Sequence, residues 1–197
     1  MIFALFWACS PKPNMLPAPK TPVEAEETAY ILPSTPQFAP EARRQWPFSE
    51  WKTAKAYAYN MKDFGPGASL FVYREGQWNS SIVKETVLTD SQAQAAAELN
   101  HRLGGDVRVS KCAFPRHSVV FFDKDNQPVG SVNVCFECGD ILVWPPYYDE
   151  NEDLSFRYTQ AENAEIPKFM DFHEKTLPVW EDLLITNVGL PAFVPEK

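Results

Sequence analysis

Four residues within one stretch of the chain could bind a metal ion or form a disulfide: Cys112, His117, Cys135 and Cys138. Three thiolates and one imidazole are the ligand set of a closed, tetrahedral zinc site. A disulfide joins cysteines that face each other on paired strands, so it would bring the same thiols together. The spacing C-x4-H-x17-C-x2-C therefore predicts either a structural zinc ion or a disulfide.

A β-hairpin is needed to position these residues. Two apolar runs, rich in β-branched and aromatic residues, flank a polar turn at Lys124–Pro128. If Asn126 takes the left-handed conformation, Asp123 pairs with Gln127 across the turn. The pattern therefore predicts two paired antiparallel strands whose far ends carry the cysteines.

The register of this hairpin decides which residues meet. Continued from the turn, it places Cys112 opposite Cys138 on a buried, even-numbered face, and it points His117 and Cys135 to the other face. Strict alternation thus favours a Cys112–Cys138 disulfide. A zinc site requires the strands to bend, which Pro115 could cause because it lacks a backbone donor.

Thiol chemistry is the enzymatic alternative. The thiols of Cys135 and Cys138 could exchange disulfides, with His117 nearby as a base or a metal ligand. The acidic Glu137 between the two cysteines opposes thiolate formation, and the motif follows a strand instead of opening a helix. We therefore favour a binding or structural role over an enzymatic one.

Two further residues are candidates for ligand binding. Arg116 could hold an anionic ligand, or it could pair with a local carboxylate. Trp144 begins the aromatic run W-P-P-Y-Y, which could line a groove for an extended peptide or a glycan, or pack in the core at a strand end. A net charge of −8 argues against nucleic acid as a partner, because nucleic-acid affinity depends on lysine and arginine contacts to phosphates.

The N-terminus suggests an anchor. An apolar run of eight residues, far too short to span a membrane, precedes Cys9. Ala8 and Cys9 resemble the lipobox of a bacterial lipoprotein, although Phe6 and Trp7 are bulky for that pattern and a basic segment is missing. The resemblance implies lipidation of Cys9, attachment to the membrane and a location in the cell envelope.

Proline content separates the anchor from the domain. Residues 10–44 hold eight of the 18 prolines, which is typical of a semi-rigid tether. We therefore expect a signal remnant at 1–9, a tether at 10–44 and one globular domain at 45–197.

Hydrophobic periodicity predicts an α+β fold, an antiparallel meander with flanking helices. The predicted helices are a short one around Trp51–Ala58, one from Asp90 to Leu103 capped by Thr89 and Gln92, and one from Pro167 towards Gly189. The predicted strands are Val107–Cys112, Ser118–Asp123, Ser131–Glu137 and Ile141–Trp144.

One further resemblance concerns the hairpin itself. Cys-x-x-Pro-Arg-His, beginning at Cys112, and Cys-Phe-x-Cys, beginning at Cys135, together resemble a motif of uncharacterised exported bacterial proteins over roughly residues 50–190. That resemblance implies export and no particular activity. The sequence thus predicts an exported, lipid-anchored binding or structural module, with an extracytoplasmic thiol or metal-dependent enzyme as the alternative.

Overall fold

The strands on either side of the polar turn belong to a five-stranded antiparallel sheet. The structure, a computed structural model, describes residues 29–32, 46–62, 69–103, 114–146 and 174–194. The strands are β1 (Thr53–Ala58), β2 (Tyr73–Arg74), β3 (Gln77–Trp78), β4 (Lys84–Val87), β5 (His117–Phe122), β6 (Pro128–Cys135) and β7 (Asp140–Trp144). Their order in the sheet is β4-β1-β5-β6-β7, while β2 and β3 form a separate small hairpin.

Two described helices accompany the sheet. Helix α1 is Asp90–Leu103, and the C-terminal helix comprises residues 174–181 followed by a π-helix at Asp182–Asn187. Sheet and helices together confirm the predicted α+β class. Within the described residues, no helix combines the length and apolar character that a membrane span requires.

The turn between β5 and β6 has the predicted conformation. Asn126 has a φ of 58°, and the Asp123 backbone N–H donates to the Gln127 carbonyl at 2.9 Å. The Asp123 carboxylate also accepts hydrogen bonds from the backbone N–H groups of Asp125 and Gln127, each at 2.8 Å. These bonds to one aspartate explain why the local sequence was sufficient to predict the turn.

The predicted register fails just beyond the turn. Phe122 pairs with Pro128, but Phe121 pairs with Gly130, so β6 contains one extra residue at a bulge. A side chain at position 130 would collide, since a Cβ there would lie 2.6 Å from the Cβ of Pro47. The backbone of β6 is thus approached closely at the bulge, where glycine is favoured.

The bulge reverses which residues share a face. His117 now lies opposite Val134, and Ser118 opposite Asn133. Strict alternation then places His117 and Cys135 on opposite faces of the sheet. The predicted grouping of these two residues was therefore wrong, because a single inserted residue inverts the pattern.

Both faces of the sheet are covered. The helix face packs alternate residues of β1, β5 and β6 against α1 and the C-terminal helix, in a core that includes Phe121, Leu99 and Trp180. The opposite face packs against the segment that carries β2 and β3, in a second cluster that includes Tyr59 and Val72. All six residues of β5 are buried as a result.

The helix predictions had different outcomes. The α1 prediction is confirmed, with the Gln92 N–H donating to Thr89 Oγ1 at 3.2 Å and the Thr89 N–H donating to Gln92 Oε1 at 2.9 Å. The helix expected around Trp51–Ala58 is wrong, because Thr53–Ala58 is a central strand paired on both sides. In the C-terminal helix Thr176, Trp180, Leu183 and Leu184 are buried, while the predicted beginning of this helix at Pro167 lies outside the described residues. The predicted strand Val107–Cys112 lies outside the described residues.

Candidate functional site

Cys135 and Cys138 form a disulfide within the turn that joins β6 to β7. Their Cα atoms are 5.5 Å apart, and the Gly139 N–H donates to the Cys135 carbonyl at 2.9 Å to close the turn. Cys135 is buried, whereas Cys138 is half-buried. The predicted Cys112–Cys138 pairing is therefore wrong for Cys138, since the bulge removes the register on which it depended; Cys112 itself lies outside the described residues.

His117 begins β5 and is buried on the helix face. Its Nε2 lies 2.8 Å from the Pro191 carbonyl oxygen, and among the described residues no group forms a hydrogen bond with its Nδ1. Because the carbonyl can only accept, Nε2 carries the proton in this contact. Burial is the main reason why the pKa of His117 is lowered, and the neutral ring is favoured accordingly.

The positions of Cys135, Cys138 and His117 do not favour the predicted zinc site. Oxidised cysteines supply no thiolates, and His117 and Cys135 lie on opposite faces of the sheet. Across the described segments, no three His, Cys, Asp or Glu side chains are grouped so that they could hold a metal ion. The zinc site with Cys112 as its fourth ligand stays a prediction.

Arg116 is buried beside the disulfide turn. Its Nε lies 3.4 Å from Glu137 Oε1, and its Nη1 donates to the Asn60 carbonyl. The rings of Phe193 and Phe114 pack against the guanidinium, with centroids 3.3 Å and 5.2 Å from Cζ. The guanidinium is thus engaged by protein groups, as in the alternative that Arg116 pairs with a local carboxylate.

Glu137 connects this arginine to the disulfide. Its second carboxylate oxygen, Oε2, lies 3.7 Å from Cys135 Sγ. A carboxylate at that distance disfavours negative charge on the sulfur, so reduction to a reactive thiolate is opposed. The geometry therefore agrees with the expectation from the sequence that Glu137 works against thiol chemistry.

A second candidate region lies on the sheet face opposite the helices. We define the aromatic surface as five side chains in ring contact with one another: Tyr57, Tyr73, Trp78, Phe122 and Trp144. Trp78 is the most exposed member, at 44%. It stacks on Phe122 with an 18° interplanar angle and a centroid distance of 6.3 Å, while Tyr73 lies 4.9 Å away.

Charged groups border the aromatic surface. Lys55 Nζ lies 2.8 Å from Glu85 Oε1 and 5.4 Å from the centroid of the Phe122 ring. The pKa of Glu85 is lowered, chiefly by the hydrogen bond from Lys55. Burial and the Glu85 carboxylate raise the pKa of Tyr57, so its hydroxyl remains a donor at physiological pH.

Sequence reasoning identified only part of this surface. Trp144 was singled out, and it contacts Tyr73 with ring centroids 5.2 Å apart. Trp78 was missed because it lies between the polar residues Gln77 and Asn79, where no apolar period draws attention to it. A tryptophan within a polar segment is itself the signal that could have found it.

The described residues thus offer two regions of different chemistry. The turn around Cys135 and Cys138 holds a covalent bond and an ion pair between a buried arginine and an exposed carboxylate, and the aromatic surface presents a partly exposed indole with charged neighbours. No protein-family model matches the chain, and no significant similarity links it to a curated protein or to a solved structure.

Proposed function

We propose that the protein is an exported, lipid-anchored binding module of the cell envelope. It binds a protein, peptide or glycan through the aromatic surface, and the Cys135–Cys138 disulfide staples its domain. The lipobox-like Cys9 and the proline-rich residues 10–44 support the anchor. A disulfide supports export, because disulfides persist in oxidising compartments outside the cytoplasm.

The observation that carries the binding role is the setting of Trp78. Its indole is 44% exposed, yet it contacts the rings of Tyr57, Tyr73 and Phe122. These contacts restrict the side chain before any ligand arrives, so binding would cost little additional rotamer entropy. Large, rigid aromatic side chains of this kind dominate the energetics of many interfaces.

The neighbouring ion pair suits such a role. Lys55 and Glu85 are both partly exposed, so they can exchange bonds with each other for bonds to a ligand. An aromatic platform with a cation and a carboxylate at its border offers stacking together with orienting hydrogen bonds. This combination fits a sugar ring or the side chain and backbone of an extended peptide.

The binding role is tested by replacing the indole. Trp78→Ala should weaken binding at least about tenfold, as expected for an aromatic anchor. Fluorescence anisotropy with labelled soluble cell-wall glycan fragments, and separately with labelled extended peptides, measures the affinity. The control is Ile31→Ala, which shortens an exposed apolar side chain in a segment that packs on the opposite, helix face of the sheet. The binding role is wrong if neither probe binds saturably, or if both variants bind like the wild type.

The anchor is tested by replacing Cys9. Cys9→Ser removes the thiol that would be lipidated, so the protein should move from the membrane fraction to the soluble fraction after expression in a bacterium. Ser10→Ala alters the adjacent position and should leave the distribution unchanged. Persistent membrane association of Cys9→Ser would contradict the proposed anchor.

A second candidate is thiol–disulfide exchange in the same compartment. The partial exposure of Cys138 favours it, since an incoming thiolate could attack that sulfur and release Cys135. The carboxylate of Glu137 near Cys135 opposes it. If so, the reduced protein should show a thiol that reacts quickly with iodoacetamide at pH 6, and the Glu137→Gln variant should react faster still. Slow reaction of both proteins would contradict exchange activity and favour a purely structural disulfide.

A further inference from the structure

A short segment from within the predicted tether lies against the domain. Tyr30 and Leu32 are partly buried and pack on the core of the helix face, whereas Ile31 between them is 85% exposed. Alternate burial of this kind is typical of an extended segment seated with one side on a surface.

Tyr30 makes polar contacts to two separate elements. Its backbone N–H donates to Ser91 Oγ at 3.0 Å, in the first turn of α1. Its hydroxyl donates to Asp182 Oδ2 at 3.3 Å, where the π-helix begins. A single residue therefore bridges α1 and the C-terminal helix, and both of its polar groups have specific partners.

The two helices that Tyr30 bridges are also bonded directly to each other, and we call their meeting place the joint. Gln92 Nε2 in α1 donates to Asn187 Oδ1 at the end of the π-helix, at 2.6 Å. Burial, together with Asp182, raises the pKa of the Tyr30 hydroxyl to about 12, so the donor is retained throughout the physiological range. The joint thus offers a tyrosine both apolar packing and two hydrogen-bond acceptors, Ser91 Oγ and Asp182 Oδ2.

We infer that the joint between α1 and the C-terminal helix is a docking site for the chain's own residues 29–32. Docking moves the point at which the tether leaves the domain from residue 45 to Tyr30. The consequence for reach rests on the proposed anchor at Cys9, but the docking itself does not. The docked segment acts as a strap that shortens the tether.

The effect on reach follows from chain length. Between Cys9 and the docked segment lie residues 10–28, and without docking the free connection would be residues 10–45. At about 3.4 Å per extended residue, the greatest span is about 65 Å when docked and about 120 Å when released. Docking therefore nearly halves the largest distance between the domain and the membrane surface.

The docking is tested on the full-length protein by hydrogen–deuterium exchange. The backbone amide of residue 30 should exchange at least about tenfold more slowly in the wild type than in Tyr30→Ala. Without the tyrosine side chain the segment is no longer held on the domain, so the amide loses its hydrogen bond to Ser91. Ile31→Ala is the matched control, since it shortens an exposed side chain in the same segment and should keep the protection. Near-ultraviolet circular dichroism verifies that the domain of each variant remains folded.

The outcomes separate docking from anchoring. An unprotected Tyr30 amide in the wild type, or equal protection in Tyr30→Ala and Ile31→Ala, would overturn the docking whether or not Cys9 is lipidated. For the lipidated protein on a supported bilayer, neutron reflectometry should place the domain of Tyr30→Ala farther from the membrane than that of Ile31→Ala. Equal distances despite lost protection would overturn the strap's effect on reach and leave both docking and anchor intact.

Discussion

Two regions of this protein use the same kinds of groups in opposite settings. At the disulfide turn, Arg116 pairs with Glu137 and packs on phenylalanine rings, and the arginine side chain is 3% exposed. At the aromatic surface, Lys55 pairs with Glu85 over a phenylalanine ring, and the lysine side chain is 26% exposed. A cation, a carboxylate and an aromatic ring are present at both sites, and the burial of the cation is the main difference, since both carboxylates are exposed.

Because Arg116 is buried and Lys55 is partly exposed, we expect the two regions to have different roles. A buried cation that loses its partner cannot recover water, so Arg116 must keep its contacts and acts on stability. An exposed ion pair contributes little to stability because water and salt compensate for its loss. Lys55 and Glu85 are therefore free to serve a ligand, as the proposed binding role requires.

The largest effect expected is that of Arg116→Leu. It leaves the buried Asn60 carbonyl without its donor and removes the guanidinium that packs on Phe193 and Phe114, so it should lower the free energy of unfolding by about 3 kcal/mol. Lys55→Met, the matched change at the exposed pair, should stay within about 0.5 kcal/mol. Urea denaturation measures both. Equal losses of unfolding free energy in the two variants would show that the two ion pairs do not differ in their contribution to stability.

An intermediate effect is expected from the disulfide. The two cysteines are only three residues apart, so the chain-entropy contribution of this small loop is about 2 kcal/mol. Replacing Cys135 and Cys138 together by alanine should lower stability by about that amount, again measured in urea. Binding at the aromatic surface, measured on the folded variant, should remain unchanged.

Intact mass distinguishes the staple from the predicted zinc site. With a disulfide, the native protein should be about 2 Da lighter than the fully reduced chain. A mass about 63 Da heavier than the reduced chain, lost on denaturation in acid, would instead assign the cysteines and His117 to zinc. Native mass spectrometry before and after denaturation gives both values.

The smallest effect expected concerns His117 and pH, because a single ionisation is involved. Burial lowers its pKa in the folded state below the ordinary value of 6.5, so between these two values the unfolded chain binds more protons. Stability should therefore fall as the pH drops below about 6.5, until the folded-state pKa is reached. Urea denaturation at several pH values between 7 and 5 measures the loss.

A variant isolates this contribution from that of other groups. His117→Leu cannot be protonated, so its stability should fall less between pH 7 and pH 5 than that of the wild type, even if it is less stable at pH 7. Glu137, Glu181 and Arg116 influence the same ring electrostatically and remain in both proteins. Identical pH profiles would show that His117 is not the group responsible.

Local sequence was sufficient where local bonds decide the structure. The turn at Asp123–Gln127 and the capping box of Thr89 and Gln92 are satisfied by residues within a few positions of each other. Such contacts form in the same way whatever surrounds them, so the residue types predict them.

Prediction failed where distant residues decide. The Ala-rich segment around Ala56 has a good helix propensity, yet pairing with β4 and β5 makes it a central strand. The bulge near Gly130 lies where Pro47, more than 80 residues earlier in the chain, approaches the strand closely. Neither cause is visible in a short window of sequence.

The same division applies to the candidate sites. The sequence by itself determined the α+β class, the hairpin, the capped helix and the residues with thiol, imidazole and indole chemistry. Only the tertiary structure decided that Cys138 pairs with Cys135, that Arg116 is buried while Lys55 is partly exposed, and that Tyr30 joins two helices. Burial and pairing arise from contacts between residues far apart in the chain, whereas residue type and local hydrogen bonding are written in neighbouring positions.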